Sequence, residues 1–121
     1  MRTKLVSWQW QAYPTAHRDR RNLALHLVTA PLFIAGLGGV LAGMIAGWWV
    51  SLAGLGAMLL VLAVQGRGHE LETTPPIPFT GPGDLIARFF VEQLVSFPRF
   101  VLSGGWARAW RAAAPPARRA A

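Results

Sequence analysis

His17, His26 and His69 are the only imidazoles in this chain, which has no cysteine. Any transition metal it holds must therefore be bound by nitrogen and oxygen donors. Asn22 and His26 stand four residues apart and share a helical face, whereas His17 precedes His26 by nine residues, about 180° around a continuous helix. His17 is thus expected to reach a common site from a bend. The third histidine sits in Gly66-Arg67-Gly68-His69-Glu70-Leu71-Glu72, where Glu72 shares its face if the helix continues and the two glycines permit close backbone approach. Imidazoles with a carboxylate and an open position form the ligand set by which non-haem iron(II) activates dioxygen.

Whether these residues meet depends on the elements between them. Residues 22–66 contain no Asp, Glu, Lys or Arg. A bilayer core takes about 20 apolar residues per helix, so this run fits two crossings joined by a tight turn. With the turn near Gly47 to Val50, His26 lies about 21 residues before it and His69 about 21 after, so equal helical rise returns both to one depth. His17 lies just outside on the same side. The expected fold is an all-α integral membrane protein, a single domain of 121 residues. Its parts are an interfacial segment (1–21), transmembrane helices (22–47 and 51–65), a site loop (66–83), amphipathic helices (84–111) that lie in the interface or enter the membrane, and a disordered tail (112–121). Pro31 falls inside the first crossing, a position that favours a kink.

The net charge of +7 does not indicate nucleic acid, because the twelve Lys and Arg lie outside the uncharged run, on both of its flanks. By the positive-inside rule both termini are expected in the cytoplasm, with Trp48 and Trp49 anchoring the far turn. The Ala-, Arg- and Gly-rich composition points to a bacterial inner membrane rather than the endoplasmic reticulum. Arg2 and Lys4 lead into a Trp- and Gln-containing stretch rather than an apolar core, so no cleaved signal is expected. Gly39, Gly43 and Gly47, with Ala35, form a small-residue stripe suited to close packing on Ala53 and Ala57, or to a homo-oligomer. Asp84 is the expected N-cap of a helix running to about Phe97, where Pro98 should break or kink it. Asp84, Arg88, Glu92, Ser96 and Arg99 fall in one polar strip, and the spacing of Arg88 and Glu92 predicts a helix ion pair.

From Tyr13, His17, Asn22, His26 and Pro31 to Gly68-His69, Glu72, Pro76 and Phe79, residues 13–80 resemble the membrane family of 2-hydroxy fatty acid dioxygenases. Its pattern, His-x4-Asn-x3-His-x4-Pro, fits at every position of the first half. Glu72 and Pro76 come one residue early in the second, which makes Glu70 a competing ligand. The resemblance implies iron(II)-dependent α-oxidation with O2 as co-substrate, giving a fatty acid one carbon shorter. His17, His26 and His69 would hold the metal, and Asn22 and Glu72 would assist catalysis. Arg67 or Arg88 would pair with the substrate carboxylate, and the acyl chain would lie along the hairpin. The alternative is a non-enzymatic hairpin scaffold assembled through its glycine face, which leaves the convergence of the histidines unexplained.

Overall fold

The computed structural model describes residues 4–113, and these fold into helices with no strand among them. In chain order they are α1 (Leu5–Ala16), α2 (Arg20–Ala46), α3 (Trp48–Glu70), α4 (Pro82–Val91), a π-helical turn (Glu92–Ser96), α5 (Phe97–Leu102) and α6 (Gly105–Ala112). The expected tail falls outside the described residues from 114 onward.

Helices α2 and α3 form the hairpin, and both are long and apolar enough to cross a membrane. Asp19 caps α2, its carboxylate accepting from the backbone N–H of Arg21 at 2.8 Å. The far turn is a single residue, Gly47, with φ +137°, a conformation that L side chains rarely adopt. The helices approach so closely that a Cβ on Gly36 would stand 2.8 Å from the carbonyl oxygen of Gly54. The contact stripe is thus Gly36 and Gly39 against Gly54, with Gly36 also on Ala57 and Gly43 on Ser51; of the expected stripe Gly39, Gly43 and Ala57 take part, and Ala35 and Ala53 do not. Ala35 and Ala53 are exposed, and Gly39 and Gly43 face α3 of the same chain. Only 28% and 22% of the most apolar stretches of α2 and α3 are buried, so the apolar flank of the hairpin is turned outward.

Three boundaries differ from the sequence expectation. Helix α3 does not stop at Gln65 but continues through Gly66 and Gly68 to Glu70, leaving only 71–81 as the connecting strap. Each helical glycine costs about 1 kcal/mol, and at Gly68 this is offset by contact: a side chain there would collide with Asn22 and Leu25. Helix α4 starts at Pro82 with Gly81 as its N-cap, and the Asp84 carboxylate instead accepts from the backbone N–H of Thr80 at 3.0 Å. Pro98 does not end the helix. The chain widens by one residue over Glu92–Ser96, where the Phe97 N–H bonds the Glu92 carbonyl, and Pro98 then occupies the first turn of α5.

Helix α1 is more than an interfacial segment, because its Gln9 and Tyr13 are buried against the α4 to α5 stretch. One core cluster gathers Tyr13, Leu23, Ala30, Phe97 and Phe100 around the histidine end of the hairpin. A second, Phe33 with Met58 and Val61, lies further along it and is covered by Phe89 and Phe90. The indole N–H of Trp106 donates to the Leu23 carbonyl at 3.0 Å, tying α6 to the start of α2.

Candidate metal centre

Four separate elements each bring one donor to the same point. His17 is the residue that ends α1, His26 lies on α2, His69 on the last turn of α3, and Glu92 opens the π-helical turn. One ligand atom from each lies within 4.8 Å of all the others. The rings cross nearly edge to face, with centroids 4.8 Å apart for His17 and His26, 4.9 Å for His17 and His69, and 5.1 Å for His26 and His69. As expected, His17 enters from outside α2, its backbone released at φ −132° from the helical conformation.

The backbone sets the tautomers. Nδ1 of His17 lies 2.9 Å from the Tyr13 carbonyl, and Nδ1 of His26 lies 2.9 Å from the Asn22 carbonyl, each one helical turn back. A carbonyl only accepts, so Nδ1 carries the proton in both rings, and in the neutral imidazoles Nε2 is left as a lone pair. Both Nε2 atoms face one carboxylate oxygen: Oε1 of Glu92 is 3.2 Å from His17 and 3.0 Å from His26. Three acceptors then meet with nothing positive between them. The Nε2 atom of fully buried His26 has no hydrogen-bond partner. A cation at the common point satisfies all of these atoms together, and three imidazoles with one carboxylate suit iron(II), zinc or manganese.

Two neighbours complete the surroundings. The Tyr13 ring stacks on His17 with centroids 3.8 Å apart, and its hydroxyl donates to Glu92 Oε1 at 3.1 Å. Burial, and then the charge of Glu92, push the Tyr13 hydroxyl well above its ordinary value, so it remains a donor. On the far side of Glu92, the buried amides of Gln93 and Gln65 exchange hydrogen bonds at 3.0 and 2.6 Å, and Gln65 also donates to Thr29. This pairing anchors the π turn to both hairpin helices.

The other residues singled out from the sequence are placed differently. Glu72 lies outside the four-donor group. Its carboxylate accepts from the backbone N–H groups of Arg18 and Asp19 at 2.8 and 3.0 Å and from the Asn22 side chain at 2.9 Å, which clamps the link that delivers His17. Asn22 orients His26 through its backbone carbonyl rather than its amide. Glu70 and Arg67 are exposed, and Arg67 does not line the cavity beside the site. Arg88 does line it, with its guanidinium donating to the carbonyls of Ile77 and Pro78 and lying 3.5 Å from Asp84.

The carboxylate among the donors is Glu92, for which the sequence suggested an ion pair with Arg88. A signal was present: Glu92 belongs to a narrow polar strip on an otherwise apolar helix, and such a strip must face polar partners. Comparison with protein-family models, with curated proteins and with solved structures gives no match for this chain.

Proposed function

We propose that this protein is an iron(II)-dependent membrane dioxygenase that shortens a 2-hydroxy fatty acid by one carbon. The observation that carries the reading is the convergence of two backbone-locked imidazoles and a third ring on one partly buried carboxylate, at the end of an apolar hairpin. Mean hydropathy and outward-facing apolar residues such as Val28, Met44 and Ile45 support a reading in which α2 and α3 cross a bilayer. The basic residues gather at the histidine end and Trp48 and Trp49 at the other, which supports a topology with both termini in the cytoplasm, and the Ala-, Arg- and Gly-rich composition favours a bacterial inner membrane.

The overall change is RCH(OH)COOH + O2 to RCOOH, CO2 and H2O. The C1–C2 bond breaks, C1 leaves as carbon dioxide, C2 becomes the new carboxyl, and dioxygen takes up four electrons. Iron(II) supplies the redox and Lewis-acid chemistry that side chains lack. The chain's own groups have narrower tasks. His17, His26 and His69 hold the metal, and Glu92 offsets its charge. The carbonyls of Tyr13 and Asn22 keep two rings in the ligating tautomer, and the Glu72 clamp fixes where His17 enters. A site at the membrane edge suits a substrate with a charged head and a lipid tail.

The test is elemental analysis of anaerobically purified protein beside the His17/His26/His69 triple alanine variant, followed by incubation with 2-hydroxy fatty acids and O2. Near-stoichiometric iron that disappears in the variant, with a product one carbon shorter, is expected. Folded protein without iron, or product formed equally by the variant, would overturn the reading. A purely structural hairpin predicts that the three replacements are silent.

A further inference from the structure

A cavity of about 380 Å³ opens beside the four donors, a size within the range of small-molecule sites. His17, His69 and Glu92 stand in its wall, and the rest of the lining is mostly apolar. The three ligand-bearing stretches leave the metal end in the same sense. The lined face of α1 runs from His17 back to Trp8, that of α3 from His69 back to Leu62, and that of α4 from Glu92 back to Leu85. The ends of these stretches are nine, seven and seven positions apart, so at 1.5 Å per residue the walls extend roughly 10–13 Å from the donors. The cavity is thus a trough with the donors at one end and apolar side chains along two helical turns.

The geometry points to this trough as the seat of a single-chain amphiphile, its head at the four donors and its tail between α1, α3, α4 and the strap. The inference rests on the metal-centre reading above and moves the tail from the lipid-facing flank of the hairpin to the inside of the fold. Arg88 fits this arrangement. Its guanidinium lies 5.1 Å from the Trp8 ring centroid and 4.2 Å from that of Phe79, and it donates to two strap carbonyls. It therefore fastens the strap over the trough, and a carboxylate head is left to the donor end. With C–C bonds near 1.5 Å, an extended tail advances about 1.3 Å per carbon, so the trough takes about eight to ten carbons beyond the head. Ala12, half-buried midway along the α1 wall, is where added bulk would meet that tail without touching a donor.

The test is calorimetric titration of metal-loaded protein in detergent with saturated 2-hydroxy acids of increasing length, with metal content measured on every sample. Affinity should rise about fourfold per added methylene and level off near ten to twelve carbons in total. Ala12→Trp should weaken the long acids by more than about tenfold while sparing a six-carbon acid and metal content. Val28→Trp, on the outer flank where Val28 is 71% exposed, should change nothing. Should Ala12→Trp fail to fold, Leu62→Ala gives the complementary reading, shifting the levelling point to longer acids. A rise that continues unbroken to sixteen carbons, or a loss with Val28→Trp and none with Ala12→Trp, would overturn the trough. If the protein holds no metal yet the apoprotein shows the same break in length, the trough stands and the metal reading falls.

Discussion

The two ends of the hairpin are held together by opposite means. At the far end the helices meet backbone to backbone, with Gly36 and Gly39 against Gly54 and a single side-chain bond from Ser51 Oγ to the Val40 carbonyl at 2.7 Å. Among the described residues, no buried side-chain donor or acceptor at that end lacks a partner. At the near end four elements converge on polar atoms, and the buried Nε2 of His26 is without a hydrogen-bond partner. An orphaned buried acceptor costs on the order of 1–3 kcal/mol. One end is therefore built for stability, and the other carries an unfavourable arrangement that a cation would relieve.

The contrast is broken most severely at Gly54. Its Cβ would collide with the Gly36 carbonyl and stand 2.6 Å from the Val40 backbone nitrogen, with no flexible side chain to yield. Gly54→Leu should separate the helices at a cost of about 3 kcal/mol or more. The check is thermal unfolding and monodispersity in detergent, and a wild-type profile would refute the close-packed crossing. Next in size is Glu92→Gln, whose two effects should have opposite signs. The amide can donate to His26 Nε2, so the metal-free protein should gain about 1 kcal/mol. Metal affinity should fall by more than the roughly 10–100-fold that an outer partner costs. Equilibrium dialysis and melting of the apoprotein measure both, and unchanged affinity would remove Glu92 from the donor set.

How much of each end was legible in the sequence follows the same division. The hairpin was readable because a charge-free run is a local property of composition, and the histidines because imidazole is rare and their distances from the turn are nearly equal. Glu92 was not readable as a donor. Its partners Tyr13, His17 and His26 lie 66 to 79 residues away, while Arg88 stood four residues away and offered a simpler account. The end of α3 was misplaced because the penalties at Gly66 and Gly68 are local, whereas the contact between Gly68 and Asn22 that offsets them is not. The crossing itself went to the more regular glycine spacing. The register actually adopted is fixed by the one-residue turn at Gly47, which brings Gly36 opposite Gly54.

Glu72 and Glu70 sharpen the comparison inside the near end. Glu72→Ala would free two backbone N–H groups and the Asn22 amide while leaving all four donors in place. Metal affinity should drop about 10–100-fold, as for other partners that orient ligands. Glu70→Ala, exposed and outside the donor group, should leave affinity unchanged. Equal losses for the two would mean that the clamp does not act through its hydrogen bonds.

The smallest effect concerns Asp19, at the boundary between the clamp and the hairpin. Its carboxyl is lowered from its ordinary value by the hydrogen bond from the Arg21 side chain, opposed by slight burial. The folded state therefore releases this proton more readily than the unfolded chain, and the cap's contribution is complete above the unfolded value. It is lost only as pH falls below about 4, through the folded value. Asp19→Ala should cost about 1 kcal/mol near neutrality through the lost N-cap, and the difference from wild type should shrink in acid. Melting temperatures of the two proteins across that range decide it: a gap that persists undiminished at low pH would assign the effect to packing at the start of α2 rather than to the charged cap.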